Sequence, residues 1–251
     1  MYYKNIYYEK YGRGKKDIII LPGWGETRKT FNSMIDTLKK NNTVYIIDYP
    51  GFGNSRLINK DLTIYDYSFI IYSFIKDNNI INPIIIAHSF GGRIVSILFG
   101  KYKLKVNKLI LLDVAGIKRF NIKVFFKRYL YKLLKILTCI LPLNCKYKIR
   151  KSLFKRFSSN DYYNLSPRMY NTFKNIVNEN LYKFYKKINC NTLIIWGEKD
   201  MDTPIKDAYL LHKKIKNSKL VFYKGCTHFV YLEKKNEVNK LISEYILKED
   251  Y

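Results

Sequence analysis

Short apolar runs alternate along this chain with longer amphipathic stretches, and the short runs are apolar at consecutive positions rather than at every second one. Asp17–Leu21, Thr43–Ile47, Ile84–Ile86, Asn107–Asp113, Thr192–Trp196 and Leu220–Tyr223 read as strands, apolar throughout as in a sheet buried on both faces. Between them the pattern predicts helices around Phe31–Leu38, over Asp66–Lys76, from Arg93 through Phe99, over Pro204–Lys216 and at the C-terminus. Tyr67, Ile70, Ile71, Phe74 and Ile75 share one helical stripe, and Pro204 suits a first helical turn. Residues 1–11 alternate loosely and fit an edge strand, followed by a turn at Gly12-Arg13-Gly14. Strands alternating with helices predict an α/β fold, a mostly parallel sheet with helices on both faces.

One segment interrupts the alternation. From about Gly116 to Asn189 there is no clear buried strand, only helical and loop pattern. The expected organisation is therefore a core made of residues 1–115 and 190–251, with 116–189 inserted over the carboxyl edge of the sheet as a helical, basic cap. No acidic residue occurs between Val114 and Asn160, while Lys and Arg recur throughout. Phe126, Leu130, Leu133, Leu137 and Leu141 fall on one side of a helix, with Arg128, Lys132 and Lys135 opposite. That pattern fits a cap helix packed on the main domain with its basic face solvated. It also fits a surface for an anionic membrane or an acidic partner such as a carrier protein.

Composition narrows the picture. At 251 residues with 47% hydrophobic content, the chain suits a globular protein with a sizeable core. No apolar run approaches the ~18 residues of a membrane span, and the first residues lack a secretion signal, so the cytoplasm is the expected compartment. The formal charge of +26 attracts nucleic acid, anionic lipid or acidic protein without specificity. No helix-turn-helix, RRM or zinc pattern accompanies it, so specific nucleic-acid binding is not expected. Cys139, Cys145, Cys190 and Cys226 have no C-x-x-C spacing and no nearby histidine pair. They read as reduced, mostly buried thiols rather than metal ligands.

Candidate chemistry centres on Pro83–Gly92, where a strand breaks at His88-Ser89-Phe90 and Gly91-Gly92 lead into a helix. A serine on a tight strand-to-helix turn is held clear of the backbone, and the helix N-terminus aims free N–H groups at any oxyanion formed there. The pattern is Ala87-x-Ser89-x-Gly91, one residue away from Gly-x-Ser-x-Gly. A serine hydroxyl needs a base, and the base needs an acid to orient it. His88 adjoins Ser89, so its side chain should leave the turn in another direction, and His212 lies mid-helix among lysines. His228, in the loop after the last strand, is the best-placed base. Asp200, after the strand ending Trp196-Gly197, is preferred as the acid because Gly197 frees its loop. Asp113 is the runner-up, and Asp202 suits a cap for the helix near Pro204. The turn-forming loops, Pro22–Gly25, Asp48–Ser55, His88–Gly91, Asp200 and His228, all follow strands, where parallel sheets bind ligands.

The order Ser89, Asp200, His228 and the loops Pro22-Gly23-Trp24-Gly25, Asp48-Tyr49-Pro50-Gly51-Phe52-Gly53-Asn54-Ser55, His88–Gly92, Trp196–Asp200 and Gly225–Phe229 together resemble the α/β-hydrolase superfamily. The matches run from Leu21 to about Leu232, on both sides of the insertion. Pro22 and Ala87 depart from the usual histidine and glycine, and neither is a proton-transfer group. The resemblance implies Ser89 as nucleophile, His228 as general base and Asp200 as its orienter. It also implies an oxyanion hole from the backbone N–H groups of Trp24 and Phe90, with no metal or organic cofactor. The expected activity is carboxylic ester hydrolysis through an acyl-enzyme. The same triad would serve a thioesterase, or an esterase acting on a carrier-linked acyl chain, to which the carrier-linked esterases of biotin synthesis are similar in outline. A non-catalytic binding protein of this fold is the alternative from another class.

Overall fold

The computed structural model describes residues 1–4, 6–118, 122–140, 142–157 and 165–248. Its strands are β1 (Tyr2–Tyr3), β2 (Ile6–Tyr11), β3 (Lys16–Leu21), β4 (Asn42–Asp48), β5 (Ile84–His88), β6 (Lys108–Leu112), β7 (Asn191–Gly197) and β8 (Ser218–Tyr223). They form one eight-stranded sheet in the order β1-β2-β4-β3-β5-β6-β7-β8. The pairs β1/β2 and β2/β4 are antiparallel, and the others are parallel. The expected α/β architecture is therefore present. The first eleven residues supply two strands, β1 at the sheet edge and β2 paired between β1 and β4, rather than a single edge strand.

The helices of the sheet domain are α1 (Arg28–Leu38), α2 (Ile64–Asp77) and α3 (Phe90–Gly100), followed after the insertion by α7 (Tyr182–Tyr185), α8 (Ile205–Lys214), α9 (Val230–Glu233) and α10 (Lys235–Leu247). Successive strand side chains point to opposite faces, and from β3 to β7 both faces are covered, while the last strand, β8, expected to be buried, is only half-buried at the sheet edge. Ile18, Ile20, Ile84, Ile86, Ile110 and Leu112 pack with Phe31, Met34 and Leu38 of α1 and Val238, Ile242 and Ile246 of α10. The alternate residues Ile19, Leu21, Ile85, Leu109 and Leu111 are equally buried. On that side Tyr45 meets Phe74 of α2, and α3 lies against β3 and β5. Helix α2 starts earlier than its apolar stripe predicts, because Thr63 and Asp66 form a capping box.

The chain divides into two compact units, residues 1–117 with 179–251 and residues 118–178. The second is shorter than the 116–189 segment expected. Residues 179–189 join the sheet unit because Tyr185, fully buried, donates its hydroxyl to the Ala115 carbonyl, while Leu181 N–H donates to the Gly116 carbonyl. In the second unit, α4 (Ile122–Leu137), α5 (Leu143–Phe157) and α6 (Tyr170–Asn178) are helical, and no strand occurs among the described residues. Arg150 ties α5 to the end of α4, donating to Thr138 Oγ1 at 2.8 Å and to the Lys135 carbonyl at 3.3 Å. On α4 the side chains of Phe126, Leu130, Leu133 and Leu137 are 44–60% exposed. The α4–α5 junction is built around Thr138 and Arg150; Leu141 lies outside the described residues. Cys190 and Cys226 are buried but Cys139 and Cys145 are exposed, so burial holds for half of the thiols. Among the described residues no helix is long and apolar enough to cross a membrane.

Helix α3 approaches β3 so closely that a Cβ on Gly91 would sit 2.2 Å from the Leu21 carbonyl oxygen. Backbone blocks backbone there, and no side-chain rotation relieves it. Gly91→Ala should therefore lower stability by about 1–3 kcal/mol, the usual cost of overpacking, read as an earlier urea or thermal unfolding transition.

Candidate active site

Ser89 occupies the turn between β5 and α3 with φ 44° and ψ −107°, a left-handed backbone that costs a non-glycine residue energy. The turn is held by its surroundings. Ser89 N–H donates to the Leu112 carbonyl at 3.2 Å, and its own carbonyl accepts from Ala115 at 2.9 Å and Gly92 at 3.1 Å. The end of β6 therefore clamps the serine from one side.

His228, in the loop after β8, reaches this serine: its Nε2 lies 2.9 Å from Ser89 Oγ. Its Nδ1 lies 2.8 Å from Asp200 Oδ2. A carboxylate accepts, so Nδ1 carries the proton and the Nε2 lone pair faces the serine hydroxyl. Asp200, buried after β7, is itself fully engaged. Its Oδ1 accepts the N–H groups of Asp202 and Thr203, each at 2.8 Å, and its Oδ2 also accepts the Thr203 hydroxyl at 2.5 Å. Burial works to raise the Asp200 carboxyl, but His228 and Thr203 outweigh it and hold the group below its ordinary range. Burial works to lower His228, and the Asp200 carboxylate outweighs that and holds the imidazole above its ordinary value.

The other expected residues fall as follows. Phe90 is the first residue of α3, so its N–H has no acceptor within the helix. Trp24 stands beside it, the two rings edge to face at 5.3 Å. Asp113, the runner-up acid, is not on His228: its Oδ1 accepts from Gly197 N–H at 2.7 Å, and burial pushes its carboxyl well up. Asp202 is exposed and does not cap α8, whose N-cap position is taken by Pro204 with no side-chain bond. His212 is exposed on α8 and meets Ser218. His88 leaves the turn away from Ser89, as expected. Gly197 serves by leaving room rather than by flexibility, because a Cβ there would lie 2.1 Å from the Thr227 carbonyl oxygen, where the His228 loop crosses. Asp200, Asp202 and His228 bring potential metal-ligating atoms within 4.8 Å of one another. Asp200 and His228 direct those atoms at each other and at Thr203, so hydrogen bonding accounts for two of the three residues.

Residues that sequence reasoning passed over also shape the site. Thr203 had a signal, a hydroxyl three residues after an aspartate, the spacing of a side-chain-to-backbone turn. Tyr49 and Tyr67 had none; their hydroxyls donate to the carbonyls of Pro22 and Pro50 and pin two of the glycine-rich loops.

A parallel sheet whose carboxyl edge joins a strained serine, a histidine and a buried aspartate defines the class: an α/β protein with the geometry of serine-nucleophile chemistry. The chain belongs to the alpha/beta hydrolase fold family, whose model matches residues 17–235. It is 26% identical over 262 residues to monoacylglycerol lipase ABHD6 of Mus musculus, covering 92% of this chain and 76% of the relative. It is 25% identical over 272 residues to the pimeloyl-[acyl-carrier protein] methyl ester esterase of Wigglesworthia glossinidia brevipalpis, covering 98% of this chain and 99% of the relative. The fold is similar to that of a bromoperoxidase from Bacillus anthracis, with a TM-score of 0.76, 19% identity and 97% and 95% of the two chains covered.

The site's electrostatics are testable without a substrate. Followed by NMR, His228 should titrate above the ordinary histidine value of 6.5. Asp200→Asn removes the main influence raising it and leaves the burial that lowers it, so the midpoint should fall. An unchanged midpoint would mean that the carboxylate does not set the imidazole's charge.

Proposed function

We propose that this protein is a serine hydrolase that cleaves a carboxylic ester through an acyl-enzyme. The observation that carries this reading is the continuous line of hydrogen bonds from Asp200 through His228 to Ser89. The Ser89 hydroxyl passes its proton to His228 Nε2 as Oγ attacks the acyl carbonyl. Asp200 stabilises the imidazolium that forms and keeps the ring in the required tautomer. The tetrahedral oxyanion lies on the N–H groups of Phe90 and Trp24. Collapse expels the alcohol, protonated by His228, and water repeats the sequence to release the acid. The reaction so written calls for no metal or organic cofactor. Four free cysteines suit a reducing compartment, and we place the enzyme in the cytoplasm.

We propose that the helical insertion, compact over residues 118–178, is a cap that shapes the acyl pocket. A second reading within the same mechanism is an esterase whose acyl chain rides on an acidic carrier protein. It is favoured by the near full-length likeness to the carrier-linked methyl ester esterase and by the charge of residues 118–178, fifteen Lys and Arg against the single Asp161. Salt-sensitive retention of the protein on immobilised acyl carrier protein, lost when exposed Lys132, Lys135, Lys148 and Lys151 are changed to Glu, supports that reading. Retention unaffected by these changes removes it.

A fluorophosphonate probe should label the protein, and Ser89→Ala should abolish the labelling. Absence of labelling in folded protein would favour a non-catalytic binding role. Asp200→Asn should lower kcat on a short p-nitrophenyl ester by roughly 10⁴-fold, the scale of the same change in a Ser-His-Asp protease. His228 must be neutral to accept the proton, and its value is raised. The acid limb of kcat/KM should therefore fall away as pH drops through an inflection above 6.5.

A further inference from the structure

Beneath the triad lies a second buried cluster that the mechanism above does not use. Glu26 sits in the loop after β3, and His88 is the last residue of β5; their side chains are 9% and 1% exposed. Glu26 Oε2 accepts the Gly23 N–H at 2.5 Å and lies 3.0 Å from His88 Nδ1, while Oε1 accepts the Tyr231 hydroxyl at 3.1 Å. His88 Nε2 lies 2.9 Å from the backbone carbonyl of His228. A carbonyl only accepts, so Nε2 carries a proton, and Nδ1 and Oε2 are joined by a second one. Phe31 and Tyr231, stacked at 4.7 Å, and Phe229 wall the imidazole in.

The two ends of this cluster are backbone groups of the catalytic apparatus. One is the Gly23 N–H, directly before Trp24, and the other is the carbonyl of His228 itself; His88 is covalently joined to Ser89. Gly23 supplies an independent sign that the pair is built in. Its φ lies outside the left-handed region, yet a Cβ there would fall 2.9 Å from Glu26 Cδ, Glu26 Oε2 and His88 Nδ1. The glycine makes room for the pair rather than for a turn. Burial works to raise Glu26, but His88, Gly23 and Tyr231 hold it below the ordinary carboxylate range.

We propose that Glu26 and His88 are a positioning pair that sets the Gly23–Trp24 loop and the His228 backbone in register with Ser89, and so acts on the chemical step rather than on substrate binding. The proposal rests on the serine-hydrolase reading. Its physical basis is that a displacement of about 1 Å in a reacting group costs roughly 10²-fold in rate. Two backbone segments from distant parts of the chain need a common rigid partner to avoid that displacement.

The test uses Glu26→Gln, His88→Gln and the double variant, with active sites counted by fluorophosphonate titration and turnover of p-nitrophenyl acetate measured per titrated site. A purely structural role would reduce the number of titratable sites and leave turnover per site intact. The expected result is a loss of about 10–10²-fold in kcat per titrated site for each single variant, with KM within about 3-fold of the wild type. The double variant should be no worse than the more damaging single change, because the two residues act as a unit. Turnover per site within about 3-fold of the wild type in both single variants, or losses that multiply in the double variant, would overturn the proposal. Failure of the unmodified protein to label at all would instead remove the hydrolase reading, and this inference with it.

Discussion

The hydrogen bond between His228 Nδ1 and Asp200 Oδ2 sets the terms for everything around it, because it places a carboxylate in the protein interior. A buried anion is tolerated only when its oxygens are fully satisfied. Asp200 meets that demand with two backbone N–H groups, one hydroxyl and one imidazole N–H. Three of those four donors come from residues 202 and 203, so the chain after β7 folds around its own aspartate. What remains is one acceptor direction, and the His228 loop fills it. Asp113 shows the contrasting outcome. With its carboxyl pushed well up by burial and one oxygen on Gly197 N–H, it supports the backbone and leaves the imidazole to Asp200.

The sheet converts this local chemistry into a fixed geometry. Parallel pairing of β3, β5, β6, β7 and β8 brings the loops after these strands to one edge. Ser89 can keep an unfavourable backbone there because Leu112 and Ala115, at the end of the neighbouring strand, hold both its N–H and its carbonyl. Close approaches elsewhere are made possible by missing side chains. Gly91 lets α3 reach the Leu21 carbonyl, Gly197 lets the His228 loop cross β7, and Gly23 admits the Glu26–His88 pair. Each glycine marks a point where two parts of the site press on one another.

Much of this was legible in the chain. The six consecutive-apolar runs became parallel strands of the sheet, and Ser89, Asp200 and His228, distant in sequence, meet within hydrogen-bonding distance. The readings that failed share a cause. Gly197 was credited with flexibility because sequence says only that a side chain is absent, not what occupies its place. Glu26 was passed over because nothing about one acid in a basic chain indicates that it lies under a histidine 62 positions away.

By itself the sequence determined the α/β class, the positions of the strands and the identity of the three chemically able residues. These depend on local pattern: runs of isoleucine that can only be buried, and turn-forming residues that must follow them. Only the tertiary structure decided what supports Asp200, what the side chain of His88 meets and what fills the space beside Gly23. Those outcomes depend on distances of 2–3 Å between segments far apart in the chain, and no periodicity or spacing encodes such a distance until the sheet has brought them together.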